Sequence, residues 1–261
     1  MMNALQNGSE KNASPAIGNS PTTRSLSEIK TDLFQGPYQG LGDRHQILTT
    51  HSGGIDCFAL HDPDCLAPLL DHYCQAKYPQ DDRRAAISMW SQWYFGILLS
   101  PVLVLAAAGE AVLTFQPNFI SLTTDDNQCP AGFDIHDRQV HELKEKSIPP
   151  DPWAHLECLI DGHLEPMVAS LAASSKVSPK VFWSNIGVVV AYVEKHVLKN
   201  TRVSLAPLIN DVKRPDGNRN PMVNPYSTKQ SDDGNPSRRV CCLRYLLTSV
   251  DICPTCPLAK L

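Results

Sequence analysis

The sequence predicts an α+β protein, predominantly helical, with a small antiparallel sheet and a C-terminal cysteine-rich segment. Three observations carry this. Apolar residues recur at helical spacing through most of the stretch from residue 64 to residue 198. β-branched and aromatic residues concentrate around 112–124 and near 133–135. Four of the nine cysteines fall after residue 240.

The elements follow in order. Residues 1–40 read as a flexible polar arm, because the first 30 offer too few apolar side chains to offset the entropy of ordering. The glycines of Gly36-Pro37-Tyr38-Gln39-Gly40-Leu41-Gly42 read as a linker, since no Gly-Lys-Ser/Thr follows them to cradle a phosphate. Residues 41–208 form the mainly helical core with the small sheet. Cys65, Leu66, Leu69, Leu70 and Tyr73 mark one helix over 64–78. A longer one over 81–109 bends at Pro101. Its segment 93–109 is long enough to approach a membrane span, but Pro101, Gly109 and Glu110 favour a buried core helix. Val112–Phe115 and Phe119–Thr123 read as strands around a Pro117-Asn118 turn, with a further piece at 133–135. Helical period returns over 153–174. Another helix runs from the Ser178-Pro179 cap to about 198. Residues 209–237, crowded with Asn, Asp, Gly, Pro and Ser, read as an irregular loop.

Composition narrows the function classes. Of 261 residues, 42% are hydrophobic and 19% charged, enough for a substantial core. Lys and Arg number 23 against 27 Asp and Glu, a net charge of −4 that argues against nucleic acid as a partner. An odd cysteine count, with five of the nine scattered singly, is a poor disulfide framework. With no basic start or apolar run near Met1, the expectation is a cytoplasmic chain with reduced thiols, and peripheral contact with the inner membrane stays open.

The chemistry concentrates in 238–261. Cys241, Cys242, Cys253 and Cys256 give the pattern C-C-x10-C-x2-C. Four thiolates this close can close one inorganic site, either a structural zinc or an iron–sulfur cluster. Zinc ligands usually come as spaced pairs, whereas Cys241 and Cys242 have no spacer. They can face one centre only if the backbone turns there; a two-iron cluster accepts a split pair more readily. Unrelated thiols remain a third reading. Leu243, Leu246, Leu247 and Val250 follow helical spacing between the pairs. Arg238, Arg239, Arg244 and Tyr245 flank the first pair and are candidates for cluster tuning or substrate contact. A [2Fe–2S] centre with four thiolates is dianionic and gains a further negative charge on reduction, so nearby cations raise its potential.

Other candidates are weaker. His155 and His163 lie eight apart rather than at the i, i+4 spacing of helical metal ligands, so capping or surface hydrogen bonding is expected of them. Cys57, Cys65, Cys74, Cys129 and Cys158 show no ligand grouping and read as packing thiols. Trp90, Trp93 and Trp183 are expected in the core rather than in a pocket.

The cysteine pattern, led by Arg238-Arg239 and followed by Arg244-Tyr245, resembles the FhuF-type ferric-siderophore reductase family. Trp90-Ser91-Gln92-Trp93-Tyr94 resembles that family's central helix, and Trp183-Ser184-Asn185-Ile186-Gly187 its later Trp-Ser-Asn-x-Gly helix. The resemblance covers roughly residues 60–261. It implies that Cys241, Cys242, Cys253 and Cys256 bind a [2Fe–2S] cluster. It also implies a cytoplasmic iron–sulfur oxidoreductase that reduces Fe(III) in a hydroxamate-type siderophore. No flavin or nicotinamide fingerprint is visible, so an unknown electron donor must reload the cluster. Two alternatives stand beside this: a zinc-stabilised non-enzymatic binding module, and an iron–sulfur carrier or sensor.

Overall fold

The structure, a computed structural model, describes residues 26–48, 53–108, 111–113, 116–136, 140–142, 151–198, 201–230 and 236–258. Most of the expected polar arm, residues 1–25, lies outside them. The remainder of that arm is ordered: α1 (Leu26–Leu33) places Ile29 in the main core, and Gly36–Tyr38 form a 3-10 turn. The arm boundary at residue 40 is therefore too late. Ile29 and Leu33 sit four apart and form an apolar stripe too short to stand out from its polar flanks.

The helices start where their caps place them. Asp62 accepts from the Asp64 amide at 2.9 Å, and Pro63 opens α2 (Pro63–Lys77). Asp151 caps α4 (Pro152–Leu159) through the Trp153 amide, and Ser178 caps α6 (Pro179–Tyr192) through Lys180. The stretch read as one helix over 153–174 is instead α4, a π-turn over Ile160–Leu164, and α5 (Glu165–Ser175). Pro166 has no N–H to offer the regular ladder, a physical reason for irregular backbone at this junction.

Helix α3 (Arg83–Ala108) is the axis of the fold. It packs against α2, α4, α5 and α6, and it meets the sheet as well. It is apolar on nearly every face and contains Pro101. Among the described residues it is the helix long and apolar enough to cross a membrane, but 72% of its most apolar window is buried inside the protein. Burial by neighbouring helices accounts for its composition.

The sheet corrects the sequence reading in two ways. Its four strands run β1 (His45–Leu48), β5 (Pro130–His136), β4 (Ile120–Thr124), β2 (Ile55–Asp56). β1 pairs with β5 in parallel, so the sheet is mixed. The expected hairpin over 112–123 does not form. β3 (Ala111–Leu113) pairs with β6 (Val140–Glu142), and β4 turns back onto β5. Pro117–Phe119 is a 3-10 turn, and the tight two-residue turns that join hairpin strands have a different twist. The β4–β5 connection works because Asp125 Oδ1 accepts from the amides of Asn127 and Cys129, both at 2.9 Å. At Gly132 a Cβ would stand 2.5 Å from the Arg44 carbonyl oxygen, so only glycine lets β1 approach here.

The described part of 209–237, residues 209–230 and 236–237, is more regular than expected. It begins within α7 (Pro207–Asn210) and ends in a ribbon of β7 (Tyr226–Gln230) and β8 (Pro236–Arg238). At Gly187 on α6 a Cβ would meet the Met222 carbonyl at 3.1 Å and Pro225 Cβ at 3.3 Å. A glycine there seats this loop on α6.

The histidines also depart from expectation. His155 is buried and faces the Ala106 carbonyl. His163 is fully buried. Its Nδ1 lies 2.9 Å from His61 Nε2, and its Nε2 lies 2.8 Å from Tyr94 OH. Neither is a surface group, and the π-turn aims His163 inward. Burial, then the neighbouring His61, holds His163 down at about 3. The unfolded chain takes up that proton near pH 6.5 while the folded protein does not. Stability should therefore fall as pH drops from about 6.5 toward 3. In His163→Gln the slope of melting temperature against pH over that window should be shallower, as read by calorimetry.

Candidate metal centre

β8 ends at Arg238, and the chain then bends at residues 239–240 into the vicinal cysteines. Leu243 takes a positive φ of 65°, rare for a branched side chain, and a single 3-10 turn over Arg244–Leu246 follows. The short helix expected from Leu243, Leu246, Leu247 and Val250 is thus reduced to one turn. Those side chains still pack on the main core, with Leu247 buried. The turn allows what a strand would forbid, namely both neighbours directed toward the Cys253–Cys256 loop.

That loop is closed by the Cys256 amide donating to the Cys253 carbonyl at 3.0 Å. The Arg238 amide donates to the Thr255 carbonyl at 2.8 Å and joins the two halves of the segment. Ser88 Oγ on α3 donates to the Cys242 carbonyl at 2.8 Å, and Thr248 bonds Asp81 through both N and Oγ1. These bonds fix the segment to the helical core.

Cys242, Cys253 and Cys256 form a buried cluster of their own, and Cys241 is half-buried beside it. All four are free thiols. Cys242 Sγ and Cys253 Sγ lie 3.8 Å apart. For tetrahedral ligands at about 2.3 Å, the expected edge is about 3.8 Å, so this pair already has the spacing of two sulfurs on one metal. Cys241 has both Cys242 and Cys256 near it. Among the described residues no group of three or more Cys, His, Asp or Glu side chains is gathered so as to hold a single ion.

The sulfurs are electrically unequal. Proton sharing with Cys253 is the main influence that holds Cys242 down at about 5, against the opposing effect of burial; the Arg244 amide and the Arg238 charge assist. The same sharing, with burial, pushes Cys253 up. Burial, with Cys242 and Cys256 nearby, raises Cys241. The Leu243 amide donates to Cys241 Sγ and the Leu258 amide to Cys256 Sγ, both at 3.4 Å. Such bonds stabilise negative sulfur.

Of the flanking candidates, Arg238 is buried, Arg239 exposed, Arg244 half-buried and Tyr245 exposed. Tyr245 and Ile252, close in sequence to Cys242 and Cys253, are both exposed. Trp90 and Trp183 are in the core as expected. Trp93 is 43% exposed and lines a cavity of about 320 Å³ with Arg44 and Gln92. The other five cysteines do not join the cluster. Sequence reasoning missed Ser88 and Asn185, which contact this segment from the helices. A polar residue at a core position of an apolar helix was the available signal.

The helical core around one long apolar helix, with its mixed sheet, is a fold also seen in a solved synthetase. The ATP-bound aerobactin synthetase IucA from a hypervirulent pathotype of Klebsiella pneumoniae superposes with a TM-score of 0.57 over 77% of this chain and 49% of that one, at 13% identity. A second structure of IucA gives the same score at 14% identity. The chain thus spans about half of those synthetases, and the likeness is one of fold. The chain belongs to the family described as ferric iron reductase FhuF-like transporter, whose model matches residues 88–234. It is also 28% identical over 206 residues to the ferric siderophore reductase of Escherichia coli (strain K12), covering 75% of this chain and 76% of that relative. The family match covers α6 and most of α3 and stops before the cysteines.

Proposed function

We propose that this chain is a ferric-siderophore reductase that passes single electrons to Fe(III) held in a hydroxamate-type siderophore and releases Fe(II) in the cytoplasm. The observation that carries this reading is the gathering of Cys242, Cys253 and Cys256 in one buried cluster, with Cys241 beside it, in a chain of the ferric reductase family. In this reading Cys242 and Cys253 hold one iron of a [2Fe–2S] cluster, and Cys241 and Cys256 hold the other. When bound, the cluster supplies a one-electron couple. The protein's own part is to bury three of the four sulfurs, donate amides to Cys241 and Cys256, and leave Tyr245 and Ile252 as the surface a substrate meets.

Hydroxamate oxygens are hard donors suited to a small trivalent ion, and one added electron weakens each Fe–O bond. No general acid or nucleophile is required. An electron donor of unknown identity restores the reduced state, and peripheral contact with the inner membrane is consistent with exposed apolar residues at this end.

The test is anaerobic purification followed by metal and sulfide analysis and a visible titration. The expected result is about two irons and two acid-labile sulfides per chain. Adding a ferric hydroxamate to the reduced protein should reoxidise it, with Fe(II) trapped by a ferrous chelator. One zinc in a colourless protein would favour a structural module instead, a reading to which the 3.8 Å sulfur spacing is also suited. A cluster that the complex leaves reduced would favour a carrier or sensor.

A further inference from the structure

Arg238 is 4% exposed. A guanidinium so far from water calls for a carboxylate, yet the ion pairs among the described residues all involve other side chains. Its Nη2 donates to the neutral Asn185 Oδ1 at 2.7 Å, and its buried Nε has no partner among the described residues. A cation held by an amide, with an N–H still free, lacks its counter-charge. Its own amide donates to the Thr255 carbonyl, inside the Cys253–Cys256 loop, and Ser88, which accepts from Asn185, donates to the Cys242 carbonyl, so the chain at Cys242 and at Cys253–Cys256 is bonded to Arg238 or to its amide partner's network.

The placement is held from several sides. Asn185 sits on α6 and donates from Nδ2 to Ser91 Oγ at 3.0 Å and to Ser88 Oγ at 3.4 Å. Guanidinium offers only donors, so the amide is oriented with Oδ1 toward Arg238 and Nδ2 toward the hydroxyls. Ser88 in turn holds the Cys242 carbonyl. The Arg238 and Arg239 amides bond Thr255 and Pro225, and Gly187 admits the loop that contains Pro225. Thus Ser91, next to Trp90, and Asn185, two residues after Trp183, belong to one buried polar ladder that ends at the cysteines.

We propose that Arg238, aimed by Asn185, is the buried counter-charge of the cysteine-held redox centre and raises its reduction potential. This rests on the cluster reading above. The reduced centre carries one more negative charge than the oxidised one, so a fixed cation stabilises the reduced form more. Arg238 is a positioning and tuning residue.

The experiment is a spectroelectrochemical titration of Arg238→Met, Arg238→Lys and Asn185→Asp beside the parent, each with its iron and sulfide content measured. In Arg238→Met the equilibrium for reduction should fall by about tenfold or more, a drop of about 59 mV for one electron. Asn185→Asp keeps the shape but sets a negative charge on the guanidinium, and its potential should fall in the same direction. Arg238→Lys keeps the charge and should stay within about threefold of the parent. Parent-like potentials in both Arg238→Met and Asn185→Asp, with iron and sulfide retained, would overturn the proposal. If Arg238→Met cannot hold the centre, the other two variants decide. Loss of the centre from Arg238→Lys as well, or an unshifted Asn185→Asp, would make the role one of shape alone. A parent protein without iron and sulfide would overturn the cluster reading before any variant is compared.

Discussion

If the four cysteines hold the proposed cluster, Cys242→Ser should yield a folded protein with no visible absorption and with iron near zero. Cys253→Ser should do the same. Cys242 is 2% exposed and lies 3.8 Å from Cys253, so neither can be replaced by another cysteine without moving the backbone turn at Leu243. A serine oxygen is a poorer partner for iron than thiolate, and a cluster with three sulfur ligands is left open to water and loss. The fold survives because its apolar mass lies elsewhere. The main core runs through α2, α3, α5 and α6, and the cysteine cluster is a separate, small one that Ser88 and Thr248 tether to it. Iron analysis and visible spectra read the first effect, and far-ultraviolet circular dichroism reads the second. A helical signal lost along with the iron would mean that the tail is part of the folding unit, contrary to this account.

Trp90→Ala has the opposite signature. Trp90 is fully buried, its ring is 5.1 Å from that of Tyr94, and its Nε1 donates to the Gln128 carbonyl at 2.9 Å. Truncation removes the largest side chain of the core and leaves a cavity, and it takes from the Gln128 carbonyl, in the β4–β5 connection, its Trp90 donor. Such changes cost about 3–5 kcal/mol. For a chain of this size the melting temperature should fall by about 10 °C. Reduction potential should be little changed in whatever fraction remains folded, since Trp90 does not contact the cysteines. A melting temperature within 2–3 °C of the parent, read by calorimetry on the intact protein, would show that the site collapses to fill the void.

Helix positions were legible in the residues themselves. Asp62-Pro63, Asp151-Pro152 and Ser178-Pro179 mark three helix starts by cap chemistry that needs no neighbour. The cysteine spacing likewise pointed to the candidate site, because few other chemistries call for four thiols in so short a stretch. Strand pairing was not legible. Val112 and Phe119 carry the same local preference whether they pair with each other or with distant partners, and β1 was recognised by nothing in its own composition. The irregular loop hid a ribbon for the same reason, since β7 and β8 are stabilised mainly by each other.

The sequence by itself determined which residues could be metal ligands, where the main helices begin, and that α3 is a core helix, mostly covered by its neighbours. These are local matters of side-chain chemistry, capping and periodicity. Only the tertiary structure decided that Cys242 Sγ comes within 3.8 Å of Cys253 Sγ, and that β1 runs parallel to β5. It also decided that Arg238 enters the core beside Asn185 without a carboxylate. Each of these depends on groups brought together from 11 to 88 residues apart, and such contacts leave no trace in a local window because many partners of similar chemistry could have served.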